Sequence, residues 1–226
     1  MANSLFDFNN IAEYYDGWYD NPVGAKIDEL EKAAVMKLLP PASTHPAVLE
    51  VGSGTGHWSA WLAGLGYAVT GIDIAEKMVS AARAKNIPGA RFMRGDFMET
   101  GFDGAFDIVI AVTSLEFMPD PCGAVRKMID LARPGGAVVV GVLNACSYMG
   151  LARKIKGGRD PVFKDARFFT RGEIRKALSD GGEATIIGST FMPPYRWAVR
   201  YSPLFEAVGG ALFPFFGNFI VAGRML

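Results

Sequence analysis

Between residues 47 and 143 short β-branched runs alternate with longer helical patterns, and the runs tend to close on glycine, aspartate or another small residue. Consecutive parallel strands need a crossover long enough to hold a helix, so this alternation specifies βαβ units and a sheet buried on both faces. AVLEV opens the series at Ala47. After a helix over HWSAWLAGL come YAVTGID, ARFMRGD and FDIVIAV, and after a helix over AVRKMIDLA comes GAVVVGVLN. Downstream, FTRGEIRKALSDGG predicts a helix with Thr170 as N-cap, Glu173 at the third helical position and a glycine pair as its stop. EATIIGSTFM and NFIVAGRML supply two further strands, paired at one edge and separated by a helix around SPLFEAVGGALF.

The expected fold is therefore α/β, a Rossmann-like seven-stranded, mostly parallel sheet with an antiparallel last strand and helices on both faces. A length of 226 residues suits one large domain of this kind better than two small ones. Residues 1–45 read as an N-terminal helical cap, with Tyr14, Tyr15, Trp18 and Tyr19 clustered ahead of the helical pattern KIDELEKAAVMKLL. Residues 46–143 form the ligand-binding core, 144–169 a lid insert after the fifth strand, and 170–226 the helices and strands that close the sheet.

Charge and cysteine usage exclude several classes. Lys plus Arg equals Asp plus Glu at 23 each, so there is no global field to draw nucleic acid or an anionic membrane, and a nucleic-acid partner is disfavoured. Cys122 and Cys146 make no CxxC pair and no ligand spacing with His45 or His57, so neither a metal nor a disulfide framework is expected. The N-terminus MANSLFDFNN lacks the basic and apolar regions of a signal peptide, which makes the cytoplasm the default compartment. The uncharged stretch from Ala207 to Gly223 is interrupted by Pro214, Gly217 and Asn218 and reads as helix, turn and strand, not as a transmembrane span.

The chemistry centres on Val48-Leu-Glu-Val-Gly-Ser-Gly-Thr-Gly56, a strand that runs into a glycine-rich turn and then a helix. Glycine lets the backbone approach a ligand, and a helix start offers unpaired N–H groups to a negatively charged part of it. A dinucleotide site begins the same way. Three acids narrow the choice: Glu50 inside the first strand, Asp73 at the end of the second, and Asp96 after the third in Arg94-Gly-Asp-Phe97. A carboxylate after the second strand can accept both hydroxyls of a ribose in either ligand, whereas an acid beside an aromatic after the third strand suits an adenine amino group. That combination favours S-adenosylmethionine over a nicotinamide cofactor.

With these motifs in order, the chain resembles the class I S-adenosylmethionine-dependent methyltransferases, in particular the group containing ubiquinone and menaquinone biosynthesis enzymes and many small-molecule methyltransferases. The resemblance runs from about Tyr15 to Asn144, through VLEVGSGTGHWSAWLA, GIDIAEKMVSAAR, RGDFMETGFDGAFDIVIAVTSLEFM and LARPGGAVVVGVLN. It implies that Glu50 holds the methionine ammonium, that Gly52, Ser53 and Gly54 wrap the methionine portion, and that Asp73 takes the ribose hydroxyls. Ile74 and Met78 would sandwich the adenine, Asp96 would accept from its amino group, the Phe97 N–H would reach a ring nitrogen, and Val112 and Thr113 would line the methionine end. Tyr15, in the Tyr15-Asp16 pair, would close the pocket over the cofactor carboxylate, with Tyr14 and Tyr19 as rivals. Many relatives carry a histidine near the position that Glu116 occupies here, so a role for that histidine does not transfer.

Two local motifs are set aside. Pro121-Cys122 has the form of the nucleophile of cytosine-C5 methyltransferases but opens a helix in a chain with no extra domain for a flipped base. Met192-Pro-Pro-Tyr195 lacks the leading amide or acid of exocyclic-amine methyltransferases and follows the sixth strand, not the fourth. From Leu151 to Lys176 nine Lys or Arg face three Asp or Glu, a run that ordinarily forms a solvated face and that, with Phe163, Phe168 and Phe169, has as its sharper alternative a lid that greets an acidic or lipid-like substrate. The expected activity is in-line methyl transfer from S-adenosylmethionine to a small-molecule acceptor. A non-catalytic binder of the same cofactor and a nicotinamide-dependent oxidoreductase are the competing readings. No residue is assigned as catalytic base, and the oligomeric state stays open.

Overall fold

The computed structural model describes residues 4–156, 166–179 and 182–226. Seven strands, β1 (Ala47–Val51), β2 (Ala68–Asp73), β3 (Ala90–Arg94), β4 (Phe106–Val112), β5 (Ala132–Leu143), β6 (Thr185–Ser189) and β7 (Phe219–Met225), form one sheet. Their order is β3-β2-β1-β4-β5-β7-β6. The first five run parallel, and β7 lies antiparallel between β5 and β6. This is the doubly wound sheet with an antiparallel closing strand that the alternation of runs specifies, and its strand order reverses between β1 and β4.

The helices are α1 (Gly17–Asp20), α2 (Pro22–Met36), α3 (His57–Gly64), α4 (Glu76–Ala84), α5 (Pro121–Leu131), α6 (Tyr148–Lys156), α7 (Arg171–Leu178) and α8 (Ser202–Leu212). Their starts follow from sequence. Asn21 caps α2 by accepting from the N–H groups of Val23 and Gly24 at 3.1 and 2.9 Å, ahead of Pro22 at the first helical position. Thr170 and Glu173 make both halves of a capping box at the start of α7.

Alternate residues of the central strands feed two cores, because successive side chains on a strand point to opposite faces. Leu49, Val51, Val109, Val138 and Val140 meet Val125 and Met128 of α5 and Ile174 and Leu178 of α7. Val48, Ile108, Ile110, Val139 and Val221 meet Ala34 and Val35 of α2 and Trp58 and Leu62 of α3. The same parity puts Glu50 on the α3 side of the sheet.

Two strand boundaries differ from the sequence reading by three residues or more. The sixth strand, expected to run to Met192, stops at Ser189, because Thr190 takes a φ of +60° and the Glu206 carboxylate draws off the N–H groups of Thr190 and Phe191 at 3.1 and 2.6 Å. The fifth begins at Ala132, earlier than expected, by pairing Ala132 with Phe106 ahead of a register shift. In the lid insert α6 leads away from β5, while residues 157–165, with Phe163, Arg159 and Lys164, lie outside the described residues. The uncharged stretch after Ala207 is the end of α8, a turn and buried β7, and among the described residues no helix is long and apolar enough to cross a membrane.

At Gly141, where β5 meets β7, an added Cβ would run into the Phe219 ring. Gly141→Ala is accordingly expected to lower stability by about 1–3 kcal/mol, the usual cost of overpacking a filled core. A urea midpoint equal to wild type, at unchanged slope, would contradict this packing.

Candidate functional site

The carboxyl ends of β1, β2 and β4 surround a cavity of ≈ 290 Å³. The turn after β1 is tied to the end of β2 by the N–H groups of Gly52 and Ser53, which donate to the Ile72 carbonyl at 2.8 and 3.0 Å. Gly52 sits at φ +76°, and a Cβ there would collide with Ser114, whose hydroxyl donates to the Val51 carbonyl at 2.9 Å. Only glycine satisfies both the dihedral and the contact, so three strand ends close into one rim.

Asp73 completes the rim. Its carboxylate accepts from the Gly54 N–H at 2.8 Å and the Ala75 N–H at 2.9 Å. Burial pushes this carboxyl up, while the Ala75, Gly54 and Ile74 amides pull it back. Of the sequence-derived candidates, Tyr15, Gly52, Gly54, Asp73, Ile74, Met78, Asp96, Phe97, Val112 and Thr113 lie on the cavity wall. Asp96 steadies its own loop by accepting from the Met98 N–H at 2.8 Å. Thr113 takes a φ of +46° and donates its N–H to Gly141 at 2.8 Å, which turns the chain across the mouth of β4.

Glu50 and Ser53 are off the wall. Glu50 is buried towards α3, where the Ser59 hydroxyl donates to it, and burial above all, with Asp73 adding to it, raises its carboxyl to about 8. Ser53 is buried with its hydroxyl lacking a hydrogen-bond partner, and a Cβ added at Gly71 would stand 2.7 Å from the Ser53 Cβ. Tyr14 is exposed, which leaves Tyr15 as the wall residue of the cap, and burial raises the Tyr15 phenol to about 12. Tyr19 stacks on His57 with ring centroids 3.5 Å apart, and His57 Nε2 lies 2.9 Å from both Asp28 and Lys32. The partner of Tyr15 in the Tyr-Asp pair braces the loop, since Asp16 accepts from Thr55 in the glycine-rich turn at 2.6 Å and pairs with Lys85 at 2.6 Å.

Several wall residues carry no sequence signal. Ser4 and Phe8 come from an N-terminal strap, held where the Leu5 N–H donates to Phe117 at 2.9 Å and the Lys77 N–H to Asn9 at 2.9 Å. Phe8 packs edge-on against Phe117 at 4.8 Å. Met118, Pro119 and Asp120 follow on the same side. The wall thus bears three carboxylates, Asp73, Asp96 and Asp120, and among the described residues no Lys, Arg or His.

Behind the wall two more acids are held without counter-ions. Glu116 is fully buried, accepts the Leu143 N–H at 2.7 Å through Oε1 and leaves Oε2 without a hydrogen-bond partner. Glu31 is half-buried on α2, at the helical spacing of Ile27, Ala34 and Val35. Burial raises both carboxyls to about 8. Folded-state values above the ordinary 4.5 mean that the folded protein keeps protons that the unfolded chain has released. The stability these groups contribute is therefore fully present below pH 4.5 and is lost as the pH rises to about 8, and Glu116→Gln is expected to remove from the profile a slope of at most ~1.4 kcal/mol per pH unit. Denaturant unfolding across that window checks this, and an identical slope in the variant would refute it.

Comparison with known proteins bears on the same residues. A family model described as a methyltransferase domain matches residues 49–140, which span the wall from β1 to β5. The chain is 30% identical over 159 residues to a ubiquinone biosynthesis O-methyltransferase of Thiobacillus denitrificans, covering 65% of this chain and 68% of that protein. It is 31% identical over 172 residues to an uncharacterized protein of Mycobacterium tuberculosis, covering 76% of this chain but only 58% of the longer relative. A crystal structure of an S-adenosylmethionine-dependent methyltransferase from Thermotoga maritima superposes with a TM-score of 0.76 at 23% identity, over 96% of this chain and 97% of that one. The glycine-rich turn, the sheet order and these relatives agree: the chain belongs to the class I S-adenosylmethionine-dependent methyltransferases, whose cofactor is S-adenosylmethionine.

Proposed function

We propose that the chain transfers a methyl group from S-adenosylmethionine to a small apolar acceptor. The observation that carries this reading is the wall chemistry of the cavity, which offers acceptors and negative charge and, among the described residues, no Lys, Arg or His. A ligand rich in donors and positively charged at sulfur and nitrogen fits such a wall. A dinucleotide pyrophosphate would meet Asp73, Asp96 and Asp120, the last paired off the wall with Arg126 at 3.9 Å, and among the described residues no Lys, Arg or His on the wall itself.

In this reading Asp73 takes the ribose hydroxyls with the lone pairs that its amide bonds leave open, and Ile74 and Met78 flank the adenine. Asp96 and the Phe97 N–H read the adenine edge. Gly52, Ser53 and Gly54 wrap the methionine portion, and Tyr15 covers it from the cap. Glu50 meets the ammonium from behind the turn, and Val112 and Thr113 border the sulfur. The bound cofactor supplies an electrophilic methyl on a sulfonium that leaves neutral, so the protein's part is alignment and exclusion of water. Acceptor selection falls to the Phe8, Phe117 and Met118 side, where the walls are apolar. The basic run of the lid gives little support to an acidic acceptor. Arg167 pairs with Glu173 at 2.9 Å, and Arg171 donates to the carbonyls of Pro214 and Ile186 at 2.9 and 3.1 Å.

Asp73→Asn is expected to weaken S-adenosylmethionine binding by about 10- to 100-fold, the usual loss for hydrogen bonds to a charged acceptor. Calorimetric titration reads this directly, and wild-type affinity in the variant would sink the assignment. Glu50 holds a proton up to about pH 8 in the free protein, and an arriving ammonium would expel it. Titrations near neutral pH in buffers of different ionisation heat should then show proton release on binding, absent in Glu50→Gln. Equal release in both proteins would exclude Glu50 as the ammonium partner.

A further inference from the structure

The connection from β6 to β7 is built with its amphipathicity reversed. On α8 the inward residues are small or polar: Ser202 and Gly209 are buried, Gly209 lies against Phe191, and Glu206 binds the Thr190 and Phe191 amides. The outward stripe is apolar, with Leu204 and Leu212 exposed at 62% and 68% at an eight-residue spacing that keeps one helix face. Phe215, beyond the helix, is exposed at 60%, and Trp197, ahead of it, at 60%. Helices of globular proteins normally do the opposite, and contiguous exposed apolar surface marks a docking site.

The patch is continuous with α6. The Tyr148 and Tyr195 hydroxyls are 3.1 Å apart, Tyr195 stacks on Trp197 with centroids 6.3 Å apart, and Trp197 meets Phe205 edge-on at 6.1 Å. It also has a definite address. Phe219, the first residue of β7, pairs with Leu143 and Ser189, the last residues of β5 and β6. The segment from Thr190 to Asn218 and helix α6 therefore both leave the sheet at its carboxyl edge, the edge that carries the cavity.

Charge decides the occupant. From Ala184 to Leu226 the ionisable side chains of Arg, Lys, Asp and Glu are Arg196, Arg200, Arg224 and one acid, Glu206, which is turned inward. Arg196 and Arg200 are exposed beside Trp197 and Tyr201. Guanidinium groups interleaved with Trp, Tyr and Phe are the composition that settles into the headgroup layer of a bilayer. A second copy related by a two-fold axis would set these arginines opposite themselves with no acid from this segment to pair with them.

We propose that this face docks on an anionic membrane surface. The docking stands apart from the methyl-transfer reading. The test is co-sedimentation of the whole chain with vesicles of phosphatidylcholine containing about one third phosphatidylglycerol, against pure phosphatidylcholine. Binding to the anionic vesicles is expected to exceed binding to neutral ones by about tenfold or more, and to fall by a similar factor in Arg196→Glu/Arg200→Glu and in Leu212→Ser/Phe215→Ser. Both variants should keep the wild-type affinity for S-adenosylmethionine, which shows them folded. No sedimentation of the wild type, or sedimentation that neither variant alters, overturns the proposal. So does a dimer in analytical ultracentrifugation that Leu212→Ser/Phe215→Ser dissolves, since the face would then belong to a second copy. A wild-type protein that binds the cofactor but no vesicles removes only the docking, and a wild-type protein that binds vesicles but not the cofactor removes only the methyl-transfer reading.

Discussion

The close approach of Gly52 to Ser114 fixes the geometry from which the site grows. It brings the end of β1 against the end of β4 at the point where the strand order reverses, and the Ser114 hydroxyl and the Ile72 carbonyl tie that contact to both neighbouring strands. A crevice must open there, because the crossovers on either side of the reversal leave in opposite directions. Asp73 then orients the turn by binding its Gly54 amide, so the carboxylate that faces the cavity also braces the loop that shapes it.

Electrostatics follow from the same enclosure. Acids line the cavity, and further acids stand behind it at Glu50, Glu31 and Glu116, none with a Lys or Arg close enough to form an ion pair among the described residues. A buried carboxylate without a counter-ion is costly, and the protein meets that cost by holding the groups protonated. Ionisation would be restored by an incoming cation, which couples occupancy of the cavity to the protonation of its surroundings. Strain and unpaired polar groups of this kind gather where a protein must bind something.

Four segments are laid over the carboxyl edge: the N-terminal strap, the aromatic segment around Tyr15, the turn after β4 and the connection between β6 and β7. These have few features in common with the sheet. The strap is held by a backbone bond from Leu5 to Phe117, by the Asn9 side chain accepting from the Lys77 N–H and by a cluster of Phe6, Phe8 and Phe117, and α8 by small residues packed inward. Their apolar character agrees on both sides of the cavity, facing inward at Phe8, Phe117 and Met118 and outward at Leu204, Leu212 and Phe215.

Much of this was legible in residue order, because it depends on short-range periodicity. The strands, the glycine-rich turn, the capping box at Thr170 and Glu173, and the positions of Asp73 and Asp96 at strand ends are all local patterns. Sheet parity likewise settles which face each strand residue takes once the strand is recognised. Burial and charge environment are different in kind, since they sum over atoms distant in the chain. Ser4 and Phe8 reach the cavity through contacts more than 60 residues away, among them Lys77 and Phe117. The outward-facing stripe of α8 has the same period as a buried one. Sequence therefore determined the scaffold and the strand-end residues that line the cavity, while tertiary structure decided which acids are buried, what closes the cavity and which apolar face stays open, because those depend on what each surface is packed against.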